Sequence, residues 1–381
     1  MGIAGRHYGM DWLRIAAFAL LILYHVGMFF VPWGWHVKTA EPVQWATIPM
    51  LAANSWRIPL LFVVSGYASA ALFAKAGRPG RFITDRSVRL LVPLVAAIAL
   101  FVAPQPWVEL QSKHHYQASF GWFWAHDYFR FGSLQGIVLP TWNHLWFVAY
   151  LWVYTAALGA LLLLPAKWRS SARKLGELVL ADWRIIVLPL ALLGIRLALA
   201  WPGREDTHDL VGDAYAHSLY FPLVALGFLL RDAPAVWRGI HRWWGCAAML
   251  AVLAYAIVAA VEFTWFGASR APAWAHAAFE IARCLQMWGA IVALLGVADR
   301  FWNRDHPKRA MLAEAVFPFY IVHQTIIVLS GWYLLRLRLP ASAEFVILVI
   351  GTVAGCWAFY LIGRSIPFFR PLIGLRRQNR R

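Results

Sequence analysis

Charge is the first thing this sequence lacks. Asp, Glu, Lys and Arg together make up 14% of its 381 residues, and only 18 of them are acidic. A soluble globular domain devotes about a quarter of its positions to these four residues. Hydrophobic residues at 61% place the chain in the membrane class instead. Cysteine is scarce as well. Cys246, Cys284 and Cys356 each sit inside an apolar run, away from any Cys-x-x-Cys pair or His cluster. That spacing excludes a disulfide framework and a structural zinc site. Also absent are a phosphate-cradling glycine loop, a His-Glu-x-x-His motif and a Gly-x-Ser-x-Gly elbow. No internal repeat, low-complexity segment or appended soluble domain is visible.

What is present is a series of apolar runs of the length an α-helix needs to cross about 30 Å of hydrocarbon. Spans are expected near 11–31, 57–74, 88–103, 143–164, 185–201, 216–231, 244–263, 279–299, 315–335 and 344–363. The expectation is an all-α polytopic membrane protein with about ten transmembrane helices in one bundle. Residues 1–375 are expected to form a single domain, followed by a basic tail over 376–381. The first run carries Arg14 and His25 and is followed by no small-residue cleavage site, so it is expected to be retained as a span.

A net charge of +17 invites a nucleic-acid reading, but the basic residues form neither one block nor a nucleic-acid motif. They fall in alternate connections instead: Lys75, Arg78, Arg81, Arg86 and Arg89; Lys167, Arg169, Arg173, Lys174 and Arg184; Arg231, Arg238 and Arg242; Arg300, Arg304, Lys308 and Arg309; then the C-terminal tail. The opposite connections are poor in Lys and Arg and include Glu205, Asp206, Asp209 and Asp213. The positive-inside rule then puts both termini in the cytoplasm, with an even number of spans. The longest outer connection, 104–142, is crowded with aromatic residues and carries His114, His115 and His126. Two readings stand for it: an aromatic platform for a sugar ring, or a segment anchored in the headgroup layer.

An ionisable group inside a span costs about 2.5–3.5 kcal/mol on insertion scales, so each one requires a partner, a wet cavity or a function. The group comprises Asp11, Arg14, His25, Arg57, Arg196, Glu280, Arg283 and His323. His25 lies eleven positions after Arg14, which returns to within roughly 20° of the same helix face about 16 Å along the axis. Asp11, one turn before Arg14, is placed to pair with its guanidinium. In a catalytic reading Arg14 binds an anionic part of a cytosolic donor, and His25 takes a proton from an attacking hydroxyl as general base. In a structural reading His25 bonds a neighbouring helix and Arg14 snorkels to the headgroups.

Asp11-Trp12-Leu13-Arg14, with ten residues between Arg14 and His25, resembles the first-helix signature of the acyltransferase family 3 membrane proteins. Trp56-Arg57-Ile58-Pro59 through Ser65-Gly66-Tyr67 is similar to that family's second helix, and His144-Leu145-Trp146-Phe147 to its His-Leu-Trp-Phe motif. Phe317-Pro318-Phe319-Tyr320-Ile321-Val322-His323-Gln324 is similar to the late-helix motif of the family's glucan-biosynthesis branch. The resemblance covers nearly the whole chain. It implies about ten spans and an enzyme of the bacterial inner membrane. That enzyme would move an acyl group, succinyl or acetyl, from a cytosolic acyl-CoA-type thioester to a hydroxyl of an extracytoplasmic carbohydrate. It also implies a catalytic role for His25 and a donor-binding or catalytic one for Arg14, with no permanently bound cofactor and no metal.

Donor or substrate contacts are expected from Asp11, Arg57, Arg89, His144, Trp146, His323 and Gln324. For Arg89 a pure topology role stands beside this, for His144 a helix-capping one, and for Glu280 with Arg283 a structural i, i+3 pair. Ser65, without an elbow or an accompanying Asp and His order, reads as a small-residue helix contact. The rival class is a transporter or flippase of a sugar-containing substrate, in which the same intramembrane groups serve a proton relay or substrate path. No matching pair of broken helices is evident in the two halves. If Arg14 binds donor, Arg14→Lys weakens donor affinity, because an ammonium does not reproduce a bidentate fork. An unchanged apparent donor affinity in that variant excludes the role.

Overall fold

The computed structural model describes residues 7–200, 206–266 and 271–376. Glu205, Trp201 at the end of the fifth expected span, and Arg377, Arg380 and Arg381 of the expected tail lie outside the described residues. Apart from one short hairpin the fold is helical. The helices are α1 (Tyr8–Met28), α2 (Thr47–Asn54), α3 (Arg57–Ala76), α4 (Pro79–Ala97), α5 (Pro104–His114) and a single turn α6 (Phe120–Trp122). After the hairpin come α7 (Trp146–Leu161), α8 (Ala166–Val179), α9 (Arg184–Ala200), α10 (Ala214–Leu230) and α11 (Pro234–Trp265). The series ends with α12 (Ala273–Phe301), α13 (Arg309–Leu334) and α14 (Ala341–Ser365).

Each of the ten expected spans falls on one of these helices. Among the described residues, eight helical segments are long and apolar enough to cross a membrane. The pair α8 and α9, bent by 98°, adds a ninth candidate, and α10 is a shorter apolar helix. The chain is therefore an all-α, multi-pass membrane protein. Several helices outrun their apolar runs. Helix α4 takes Arg81, Arg86 and Arg89 into its first turns, and α11 takes in Arg238 and Arg242. Helix propensity tolerates Arg well, so a hydropathy boundary marks where the oil ends and not where the helix ends.

The described chain divides into two compact units. One comprises the residues up to Ala17, Thr47–Asp85 and Val153–Ala313; the other comprises Phe18–Ala46, Arg86–Trp152 and the residues from Glu314 onward.

In the first unit α11 packs along α12, and α3 packs along α10. Small residues let these backbones meet, the usual device where lipid removes the hydrophobic drive between helices. A methyl group on Gly66 would strike the Val224 carbonyl, and one on Gly227 would strike the Val63 carbonyl. The Ser-Gly-Tyr element of α3 is thus a helix-crossing contact. On the α11 side, Ala247 and Ala251 face Gly289 of α12. The break between α2 and α3 is closed by Gln286, whose Nε2 donates to the Leu51 and Ala52 carbonyls while its Oε1 accepts from Ser55. Arg283 donates to Asn54 Oδ1 at this same break, a partner on another helix.

In the second unit a core of Val26, Phe29, Phe30, Val37, Val108, Ile327, Val328, Leu334 and Leu348 joins α1, α5, α13 and α14. Between α4 and α5 the helix widens into a π-turn over Ile98–Val102. Pro104 and Pro106 follow it and withhold two backbone donors. The carbonyls there find side chains instead: Tyr128 Oη donates to Ile98 O, Trp124 Nε1 to Ala99 O, and Thr325 Oγ1 to Phe101 O.

The aromatic stretch 104–142 begins as helix α5 and then folds into a cap with its own small core. Ala103, Leu110, Phe123, Tyr128 and Leu139 are buried in it. The antiparallel hairpin β1 (Gly132–Leu134) and β2 (Ile137–Leu139) closes it. Phe123 and Tyr128 are internal, whereas Trp122, Trp124, Phe129 and Phe131 are exposed. The tyrosine hydroxyls serve inside this cap. Tyr116 donates to Asp127 Oδ2 at 2.5 Å, and its hydroxyl is pushed up to about 12 by burial and by that carboxylate.

Gly227→Ala overpacks the α3–α10 crossing. The expected cost is about 1–3 kcal/mol, read as a lower melting temperature of the detergent-solubilised protein; an unchanged melting temperature would contradict the contact.

Candidate active site

Helix α1 brings His25 to its last turn, where the chain leaves the helix for a loop running to the short turn Gln44–Ala46. The loop is tied back to the helix end by backbone bonds from Thr39 N to Phe29 O and from Val43 N to Phe30 O. Lys38 Nζ donates to the carbonyls of Met28 and Val31, which the ending helix leaves open. Burial, with Lys113 nearby, holds the Lys38 ammonium down at about 8. Thr39 Oγ1 anchors the loop to Glu344 Oε2 at 2.8 Å. Trp35 of this loop stacks on His25, ring centroids 5.5 Å apart at 20°.

His323 of α13 is fully buried, and its Nε2 lies 2.9 Å from His25 Nδ1. The partners assign the tautomers. His323 Nδ1 is 2.9 Å from the Tyr320 carbonyl oxygen, which can only accept, so Nδ1 carries the hydrogen. In the uncharged ring Nε2 is then a lone pair, and His25 Nδ1 must donate to it. Neutral His25 consequently carries its basic lone pair on Nε2.

His144, from the turn Asn143–Leu145, joins the same group. Its ring centroid is 5.0 Å from that of His323, and its Nε2 donates to Tyr320 O at 3.0 Å. Tyr320 Oη donates to the His144 carbonyl in return. Gln324 donates to His36 Nε2 and to Gln105 Oε1, each at 3.0 Å. His36 Nδ1 in turn donates to Glu109 Oε2 at 2.6 Å, and Asn143 Nδ2 to Gln105 Oε1 at 2.9 Å. The chain Glu109, His36, Gln324, Gln105, Asn143 is thus a hydrogen-bonded polar thread through the unit. Three buried polar atoms in or beside it have no hydrogen-bond partner: Trp35 Nε1, His144 Nδ1 and Gln324 Oε1. Such atoms are costly to bury, and their concentration in one place is a mark of a ligand site.

Of the expected site residues, His25, His144, His323 and Gln324 therefore converge. Trp146 follows His144 on α7 with its ring edge-on to Tyr150. Arg89, in the same unit, is exposed and lines a groove with Val92, Phe368 and Arg376. Asp11, Arg14 and Arg57 belong to the other unit. There Asp11 accepts from Arg309 Nη1 at 2.7 Å, and that bond joins α1 to the start of α13. Arg14 Nη2 reaches the Ala313 carbonyl at 3.2 Å, and Arg57 Nη1 reaches Asn54 O at 2.9 Å. Trp35, His36, Gln105, Glu109 and Asn143 were not expected at the site. Their only trace in the sequence is polarity near span ends, which topology already explains. Among the described residues no cluster of three or more His, Cys, Asp or Glu side chains is placed to hold a metal ion.

A family model described as an acyltransferase domain matches residues 7–361. Among curated relatives, the glucans biosynthesis protein C of Salmonella gallinarum (strain 287/91) is 24% identical over 339 residues, covering 87% of this chain and 85% of that protein. The protein of the same name from Salmonella schwarzengrund matches at the same identity and coverage, and that from Salmonella paratyphi B is 23% identical. No solved structure matches.

If His323 sets the His25 tautomer, replacing its acceptor matters more than replacing its ring. His323→Leu should lower kcat by at least about tenfold, while His323→Gln, whose amide oxygen accepts the same bond, should retain more of the rate. Equal rates for the two variants would remove the tautomer role.

Proposed function

The chain belongs to the acyltransferase-domain family of membrane proteins, and from that premise we propose that it transfers a succinyl or acetyl group from a cytosolic acyl-CoA-type thioester to a hydroxyl of an extracytoplasmic, glucan-like carbohydrate. The observation that carries the proposal is the bond from His25 Nδ1 to His323 Nε2, which leaves the lone pair needed for general-base chemistry on His25 Nε2. The glucan class is supported by the relatives' name, glucans biosynthesis protein C. A basic set of alternate connections supports cytoplasmic termini and an inner-membrane location.

In this reading the acceptor hydroxyl approaches His25 Nε2, which takes its proton as the oxygen attacks the thioester carbonyl. The tetrahedral adduct collapses with cleavage of the carbon–sulfur bond, and the departing thiolate recovers the proton. Thioester chemistry suits this division of labour, because the leaving thiolate needs little help and the weak nucleophile needs the base. Arg14 would hold an anionic part of the donor, with Asp11 and Arg309 ordering the start of α1 around it. Arg57 and Arg89 are the further cations for a donor phosphate or a succinyl carboxylate. His144, Trp146 and Gln324 would line the acceptor side.

His25→Ala should abolish CoA release from succinyl-CoA and acetyl-CoA in the presence of a glucan oligosaccharide, with yield and melting temperature near those of the parent protein. A variant that still turns over either thioester removes the general-base role. A parent protein inert to both donors that moves the oligosaccharide across vesicle membranes would favour a transporter.

A further inference from the structure

A base on His25 accounts for the proton of the attacking hydroxyl but not for the negative charge of the tetrahedral adduct. In acyl transfer that charge collects on the former carbonyl oxygen and is met by preorganised hydrogen-bond donors. The donors beside His25 can be taken one at a time. His323 Nδ1–H is committed to the Tyr320 carbonyl, and His144 Nε2–H to the Tyr320 and Ile321 carbonyls. The amide of Gln324 donates to His36 and Gln105. His144 Nδ1 and Gln324 Oε1 have no partner, but with those bonds made they are acceptors and would repel an oxyanion. Lys38 Nζ gives two of its three hydrogens to the Met28 and Val31 carbonyls, which hold it at the end of α1. Among the described side chains of this group, the indole N–H of Trp35 is the donor that is buried without any acceptor, on the ring stacked over His25.

We propose that Trp35 Nε1–H is an oxyanion-hole donor, which makes Trp35 a catalytic residue of the acyl transfer. The assignment rests on His25 acting as the base. In the step, the hydroxyl oxygen forms a bond to the thioester carbon while its proton passes to His25 Nε2. The electron pair of the C=O bond moves onto oxygen, and Trp35 Nε1–H donates to that oxygen. Collapse re-forms C=O, breaks C–S, and returns the proton from His25 to the thiolate.

An oxyanion hole must be rigid before the reaction begins, and the loop meets that requirement. The bonds Thr39 N to Phe29 O, Val43 N to Phe30 O and Thr39 Oγ1 to Glu344, with those of Lys38, fix it on both sides of Trp35 and the end of α1.

The test uses the full-length protein in detergent, with succinyl-CoA or acetyl-CoA, whichever it turns over, and a glucan oligosaccharide, with release of CoA thiol as the readout. Trp35→Phe keeps a stacking ring and removes the N–H. The expected result is a fall in kcat on the order of 10²-fold, the usual cost of one oxyanion donor, with KM for donor and acceptor each within about threefold of the parent value. Substitution of Trp35 by benzothienylalanine, which puts sulfur in place of N–H at nearly constant shape, should give the same loss, and it carries the test if the Phe variant does not fold. Unchanged kcat in a folded variant overturns the proposal. So does a loss confined to the acceptor KM, which would mean that the indole binds the sugar in the ground state. His25→Ala is run alongside. If it is inert while Trp35→Phe is fully active, only the oxyanion assignment falls; if it is active, the general-base reading falls and takes this assignment with it.

Discussion

A polar side chain on a helix that crosses hydrocarbon has to find its hydrogen-bonding partner within the protein, because lipid supplies none. The second unit is organised by that constraint. His25, His144, His323, Gln324 and Gln105 each lie on or at the end of a membrane-length helix, and each finds partners on a different segment of the chain. The backbone of α13 takes part directly, since its Phe319, Tyr320 and Ile321 carbonyls accept from His323 and His144. Remove any one ring and an acceptor or donor is stranded in a medium where it is costly. The same rule makes the exceptions informative: Trp35 Nε1, His144 Nδ1 and Gln324 Oε1 stay unpaired beside the histidines, and each such atom calls for an explanation.

The helix irregularities serve the same site. Pro104 and Pro106 end one helical register and open a wider turn, whose carbonyls are met by Tyr128, Trp124 and Thr325. Thr325 follows Gln324 in α13, so a backbone defect in one helix becomes an anchor for the polar thread of another. The loop after α1 works by a parallel device. Its ties to the last carbonyls of the helix hold Trp35 over His25, so the geometry of the imidazole is set from both sides before any substrate arrives. The first unit uses close backbone contact instead, with Gly66 and Gly227 permitting a crossing that no larger residue allows.

Much of this was legible in the chain. The ten apolar runs each correspond to a helix, and the polar interruptions at His25, His144 and His323-Gln324 were recognisable because hydrocarbon makes each of them expensive. Partners were harder to read. Asp11 was expected beside Arg14, one turn away, and it accepts from Arg309, which lies 298 positions on. Arg283 was expected to pair with Glu280 and donates instead to Asn54. Periodicity sees neighbours on one helix and is blind to those on another. The aromatic stretch 104–142 was read as a platform or an interfacial anchor, whereas part of it is a folded cap with its own core. Composition reports that rings are present and not which of them face inward.

The sequence alone determined the class of the protein, the order of its apolar runs, each of which lies on a helix, and the residue types too polar for the places they occupy. Those follow from transfer energies, which act residue by residue and need no knowledge of contacts. The tertiary structure decided which imidazole faces which, and hence which nitrogen of His25 holds the lone pair. It also decided that Trp35, one tryptophan among 23, brings a buried N–H to that ring. Hydrogen bonds are short and directional, so such choices are settled only once segments hundreds of positions apart have been packed against one another.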